Sequence, residues 1–293
     1  MELKTRKKFE WGQFGLHTFF IISCLTFILP LILMVSISLS DPDFKFFKLI
    51  PQEFSTYAYE AIFKKPQQII TAYGVTIFYS VAGVITSVAL NSMFAYSMSR
   101  KNFLFKKSLT VLLFITMVFS GGLVPTYLVN TTLLHLDDTM WIHILPFMFD
   151  AWNIIVIRTF FNGLPNDLFE AARLDGANEL KICFKIAMPM SIPILVTIAY
   201  AKFLGGWNDW INSSIYIRNP DLYSLQYVLK RFMDGAGADL IGASGTLSTA
   251  QTISMLEPVK YAMAILGMGP AILIFPFIQK YYDKGVIMGS LKG

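Results

Sequence analysis

The sequence predicts an all-α integral membrane protein of six transmembrane helices with the N and C termini cytoplasmic, and three observations carry that reading. Of the 293 residues, 55% are hydrophobic and 15% charged, against about 25% charged in ordinary soluble domains. Six stretches are each long and apolar enough for a helix to cross a hydrocarbon core about 30 Å thick, which takes roughly 20 residues. Lys and Arg fall unevenly on the two sides of those stretches.

The spans are Phe14–Leu39, Thr71–Ser97, Leu109–Val129, Trp141–Phe161, Pro189–Ile211 and Pro258–Ile278. Lys4, Arg6, Lys7 and Lys8 precede the first. Its apolar run is too long for a secretory signal and has no small-residue cleavage site, so it reads as an uncleaved anchor. With the N-terminus inside, fifteen Lys and Arg fall on inner segments and seven on outer ones, and positively charged segments stay cytoplasmic. Trp11, Trp141, Trp207 and Trp210 fall near span ends and are expected at the interface, while Trp152 is expected to pack between helices. The resulting division is a cytoplasmic N-terminus (1–13), a membrane domain (14–283) and a cytoplasmic tail (284–293).

The 24 Lys and Arg against 19 Asp and Glu form no run suited to nucleic acid, so lipid and not nucleic acid is the expected surroundings. Cys24 and Cys183 lie in unlike segments far apart, which predicts no disulfide, and three His leave little for a metal cluster.

The inner connection 165–189 has a helix grammar of its own. Asp167 followed three residues later by Glu170 fits a capping box. Gly176 permits the positive φ that ends one helix and turns the chain, before a second short helix over Asn178–Ala187. The expected product is a helix, turn, helix elbow. The small Ala171, Ala172 and Ala177 would let a partner approach closely, with Leu174 filling a pocket in that partner. A surface connector lying along the headgroups is the plain alternative.

The spacing decides between them. Glu170-Ala171-Ala172, then Gly176, then Ile186 and Met188-Pro189 resembles the EAA loop of the permease subunits of ATP-binding-cassette (ABC) importers, with Met188 in place of the usual Leu. Ser120 to Tyr127, Gly206-Trp207-Asn208-Asp209-Trp210, Phe275 to Tyr281, Lys284-Gly285 and the ending Gly289 to Gly293 resemble the carbohydrate branch. Within it the chain is similar to the shorter permease of maltose-type importers, and closer still to permeases of complex oligosaccharide and polyuronate importers such as that for alginate.

That resemblance implies a type I ABC-importer permease fold and one subunit of five. The partners would be a second homologous permease, two ATPase subunits and an extracytoplasmic solute-binding protein. The sequence holds no G-x-x-x-x-G-K-[ST] phosphate loop, so this chain is expected to be no enzyme and to bind no cofactor, with ATP and Mg²⁺ held by the ATPases. Glu170, Ala171, Ala172, Arg173, Leu174, Asp175, Gly176 and Ala177 would form the coupling helix on the ATPase. Glu170 and Arg173, three apart, pair either with each other or with that partner.

Ionisable groups inside spans are pathway candidates, because a charge at mid-bilayer costs about 2.5 to 3.5 kcal/mol on insertion scales. Asp150 lies mid-span in the fourth stretch with Asn153 on a similar face. It either lines the solute pathway or accepts a hydrogen bond from a neighbouring helix. Lys202 either snorkels outward past Trp210 or faces a cavity as a cation suited to an anionic sugar.

The outer connection 212–257 is far longer than a hairpin needs and pliable around Gly235, Gly237, Gly242 and Gly245. Flexible filler is one reading; the resemblance implies contact with the binding protein, with a loop reaching into its sugar site. For the tail 284–293, a frayed end stands beside a position between the ATPase subunits. Rival functions are import of a non-sugar solute, a stand-alone secondary transporter, an intramembrane enzyme and a membrane scaffold. The transporter would show repeats and interrupted helices. The enzyme would need a catalytic set, and His17, His135 and His143 sit in no such motif.

Overall fold

The structure, a computed structural model, describes residues 11–41, 49–51, 53–64, 66–234 and 249–290. It divides into two units, Met1–Lys65 with Arg231–Leu266 and Pro66–Lys230 with Gly267–Gly293.

In the first unit, α1 (Trp11–Ser38) carries Phe19, Phe20, Phe27 and their neighbours exposed. The apolar, largely exposed flank of α1 up to Val35 suits a lipid setting, while Ser36, Ile37 and Ser38 at its end are buried. Thr18 and Thr26 donate back to the carbonyls of Phe14 and Ile22, each at 2.9 Å, which keeps both hydroxyls satisfied in that setting. After an isolated bridge between Ser40 and Phe54, α2 (Tyr57–Phe63) returns Tyr59 to within 3.1 Å of Ser38 Oγ.

The second unit is built on α3 (Pro66–Ser99). Its buried positions include Thr76, Ser80, Ser87, Asn91, Ser92 and Ala95, small or polar residues that let membrane helices approach closely. Next come α4 (Lys106–Val118) and α5 (Leu123–Leu128), which runs into a π-helical turn Val129–Leu133. Two 3₁₀ turns, Met140–His143 and Leu145–Phe147, lead to α6 (Ala151–Asn162). The elbow follows as α7 (Asn166–Leu174), α8 (Glu179–Ile182), a π-helical turn Cys183–Ala187 and α9 (Met188–Met190). Then come α10 (Ile192–Trp207), α11 (Ile211–Tyr216), a 3₁₀ turn Pro220–Leu222 and α12 (Leu225–Met233). The long α13 (Thr249–Ser290), whose residues up to Leu266 belong to the first unit as do Arg231–Met233 of α12, carries the apolar stretch Leu256–Gln279.

Three expected spans are single helices and three are broken. Residues 12–38, 66–99 and 256–279 are each long and apolar enough to cross a membrane, and six crossings result if each bent pair counts as one. The third span bends by 115° between α4 and α5, where Gly122 takes φ +82°, a conformation that side-chain-bearing residues resist. The fourth bends by 45° and the fifth by 87°. Pro146 and Asp150 lie at the first of these breaks and Pro189, Ser191 and Pro193 at the second, and proline both removes a donor and clashes with the preceding turn. A hydropathy window sums apolarity and is blind to such breaks.

Two further expectations are corrected. Trp207 is not interfacial but 1% exposed, its Nε1 donating to Gly267 O at 2.8 Å. Trp152, expected between helices, is exposed. The described part of the outer connection is helical in α11, the 3₁₀ turn and α12, and the glycine-rich middle on which the filler reading rests lies outside the described residues. The sixth expected span, Pro258–Ile278, coincides with the apolar stretch Leu256–Gln279, inside a helix that begins earlier, at Thr249.

Candidate functional site

Two places in the second unit carry chemistry: the elbow and a cavity among α3, α6 and α10.

The elbow forms as its turn residue dictates. Gly176 takes φ +77°, and Ala177 N donates to Ala172 O at 3.0 Å to close the end of α7. Asn178 then caps α8, its Oδ1 accepting from Lys181 N at 2.8 Å. The expected capping box is absent: Pro165 occupies the cap position with no side-chain bond, and Asp167 lies inside the first turn, where its charge still suits the helix dipole.

The small residues divide differently from expectation. Ala172 is buried with Phe169, and Ala177 packs against the same apolar cluster as Ile182, Phe161 and Tyr96. Only Ala171 of the three is exposed. Leu174 stands 90% exposed at the tip, beside exposed Glu170 and Asp175.

Arg173 pairs across the turn and not with Glu170. Its Nε donates to Glu179 Oε1 at 2.8 Å, and Glu179 Oε2 accepts from the Tyr96 hydroxyl. The Arg173 hydrogen bond, with that of Tyr96, holds the Glu179 carboxyl below its ordinary range, and the same bond raises the Arg173 guanidinium. Arg100 lies over the rings of Tyr96 and Phe169 at 4.7 and 4.0 Å. One face of the elbow is therefore tied to the end of α3 while Leu174 projects from the other.

The cavity, about 620 Å³, is lined by Tyr79, His143, Asp150, Asn153, Lys202 and Asp209 among others. Asp150 is not mid-helix but caps α6: its Oδ1 accepts from Asn153 N at 3.0 Å. Its other oxygen meets Lys202 Nζ at 3.0 Å. Lys202 thus turns inward onto Asp150 and the carbonyl of Phe147, 3.4 Å away, instead of snorkelling. Asn91 fixes the break from behind, its Oδ1 accepting from Asp150 N at 3.1 Å and its Nδ2 donating to Met148 O at 3.2 Å.

A second polar group was missed from the sequence. His143 Nδ1 lies 3.0 Å from Asp209 Oδ2, its Nε2 lies 3.3 Å from Ser213 Oγ, and its ring stacks on Tyr79 at 4.4 Å. The segment Gly206 to Trp210 is held around this pair. Tyr79 OH donates to Gly206 O at 2.9 Å. A Cβ at Gly206 would come within 3.1 Å of Ser80 Oγ. Asp209 accepts from Asn212 N at 3.1 Å to start α11. The signal that could have found it is an Asp beside two Trp at a span end.

Gly235, Gly237, Gly242 and Gly245 lie outside the described residues. No group of three or more His, Cys, Asp or Glu poised for a metal occurs among the described residues, and Cys24 and Cys183 are free thiols, exposed and buried respectively.

Residues 91–288 match the family described as binding-protein-dependent transport system inner membrane component. The chain belongs to this family. It is therefore a permease, a multi-pass membrane subunit of a binding-protein-dependent importer. It is 34% identical over 285 residues to the polygalacturonan/rhamnogalacturonan transport system permease protein YtcP of Bacillus subtilis, covering 95% of this chain and 97% of that one. It is 34% identical to the protein LplC of the same organism, over 84% and 82%. Among solved structures, a bacterial ABC transporter involved in the import of the acidic polysaccharide alginate superposes with a TM-score of 0.80 at 26% identity, covering 94% of this permease and all of that chain. The fold is accordingly that of a type I ABC-importer permease.

Proposed function

We propose that this permease is one half of the translocation pathway of an ABC importer for acidic oligosaccharides, worked by two ATPase subunits that grip the elbow and fed by an external binding protein. The observation that carries the coupling is the elbow's two-sidedness. Phe169 and Ala172 are buried on one side, and Arg173 and Glu179 close the turn. On the other, Leu174 is 90% exposed, an apolar side chain whose burial by a partner is favourable by roughly 1.5 to 3 kcal/mol. A short helix held this firmly passes a displacement to α6 and α10 without absorbing it.

The cavity holding Asp150, Asn153 and Lys202 is this subunit's share of the solute path. A carbohydrate cargo, and an acidic one, is supported by two likenesses: to a polygalacturonan/rhamnogalacturonan permease and to an alginate importer. Gly235, Gly237 and Gly242 belong, on this reading, to the segment that meets the binding protein, and residues 284–293 reach the ATPase pair.

The test is the complete complex in proteoliposomes, with stimulated ATP hydrolysis read for loaded binding protein across neutral and acidic oligosaccharides. Preferential stimulation by oligogalacturonates is the expected result. Equal stimulation by neutral oligosaccharides of the same length overturns the acidic cargo, and hydrolysis and uptake unaffected by Leu174→Asp overturns the elbow's role.

A further inference from the structure

The Asp150–Lys202 pair lines a cavity, and the two partners depend on each other unequally. Asp150 is compensated twice: by Lys202 on Oδ2 and by the start of α6 on Oδ1, where Asn153 N donates at 3.0 Å. Its backbone is held separately by Asn91. Lys202 has one carboxylate and, at 3.4 Å, the Phe147 carbonyl. If Lys202 leaves, Asp150 still has its helix N-terminus, a favourable place for a negative charge. If Asp150 leaves, Lys202 has lost its anion. A cation left there without its carboxylate favours any anion that enters the cavity, since a largely buried, unpaired charge is costly.

Both groups face the cavity, their side chains 17% and 33% exposed for Lys202 and Asp150. The rest of the lining suits a sugar. Asn153, Asn208 and Asn212 bring amides and Trp210 an aromatic side chain, the mixture of polar groups and aromatic surface that marks a ligand site. The second carboxylate of the cavity, Asp209, is occupied by His143 at 3.0 Å and Asn212 Nδ2 at 2.7 Å, so it does not compete for the lysine.

Resting on the acidic-oligosaccharide reading above, we infer that Lys202 is a swing cation: it leaves Asp150 to pair with a uronate carboxylate of the passing solute and returns to Asp150 when the solute has gone. Asp150 neutralises Lys202 while no solute is bound and sets the threshold, so that a solute must bring its own carboxylate to take the lysine away. Lys202 is a specificity-determining residue, and Asp150 its competitor.

The experiment measures uptake by the complete importer in proteoliposomes, with trigalacturonate and its fully methyl-esterified form, equal in length and differing in charge. Lys202→Gln is expected to raise the half-saturating concentration or lower the rate for trigalacturonate by about tenfold, the size of one charge-assisted hydrogen bond, with the ester unchanged. Lys202→Arg restores much of the preference. Asp150→Asn, which keeps an oxygen to cap α6, shifts trigalacturonate toward tighter apparent binding and leaves the ester alone. Equal losses on both sugars in Lys202→Gln, despite normal membrane insertion and basal ATP hydrolysis, mean that the pair is only structural and overturn the inference. Unchanged transport of both sugars overturns it as well. If the unaltered importer prefers the ester, the acidic-cargo reading fails and this inference falls with it. If it prefers trigalacturonate but Lys202→Gln leaves the preference intact, only the swing cation fails.

Discussion

His143 and Asp209, 66 residues apart in sequence, meet at 3.0 Å through Nδ1 and Oδ2, and this pair joins the broken fourth crossing to the start of α11. A carboxylate oxygen accepts, so the imidazole donates from Nδ1. Side-chain exposure is 0% for the histidine and 13% for the aspartate.

Replacing Asp209 by Ala strands the buried His143 donor and also removes the bonds to Asn212. The expected loss is about 2 to 4 kcal/mol, from one unsatisfied buried polar group and a lost helix start. Thermal unfolding in detergent checks it. A melting point equal to that of the parent would mean the pair does not hold the break.

Trp207→Phe keeps the ring stacked on Phe203 at 5.7 Å but deletes the donor to Gly267 O. A cost of about 1 kcal/mol is expected, against about 3 to 5 kcal/mol for Trp207→Ala, which leaves a cavity in a fully buried position. Equal melting points for the two variants would refute this ordering.

At Gly176 nothing lies within 4 Å of an added Cβ, so substitution is penalised by φ +77° alone and not by a clash. Gly176→Asn, which tolerates that conformation, is expected to retain coupled uptake. Gly176→Val, strained by roughly 1 to 2 kcal/mol or more, is expected to hydrolyse ATP with poor uptake while remaining inserted. Fully coupled transport by the Val variant would defeat the elbow's role as a rigid lever.

Acid should loosen the elbow. The Glu179 carboxyl is held below its ordinary 4.5, so the unfolded chain takes up its proton first as pH falls. The stabilisation is therefore complete above that ordinary value and is lost as pH drops through the lower folded value. Hydrogen exchange at Ala177 and Lys181 is expected to quicken below about pH 4.5 in the parent, and Glu179→Gln is expected to show the faster rate already at neutral pH. Identical profiles in the two proteins would count against the Arg173–Glu179–Tyr96 linkage.

The elbow was legible because its main signal is local: Gly176, for the left-handed turn between two short helices, acts within a few residues of itself. Its inward side was not. Ala172 reads as a small surface residue until Phe169 and Ile182 are seen to bury the same face, and Arg173 finds Glu179 across the turn in preference to Glu170 on its own helix. In the cavity, Asp150 and Lys202 stood out singly because charges in apolar stretches are costly. That they meet required α6 and α10 to be set side by side.

Composition and the apolar stretches by themselves determined a multi-pass membrane protein with up to six crossings, and turn residues a helix, turn, helix elbow, since hydropathy and turn chemistry are short-range properties of the chain; the permease reading came from the resemblance carried by the Glu170 to Pro189 spacing. Only the tertiary structure decided where three crossings break and which charges become partners. Those outcomes depend on backbone donors and side chains from distant segments being brought within about 3 Å of one another, the range over which hydrogen bonds act.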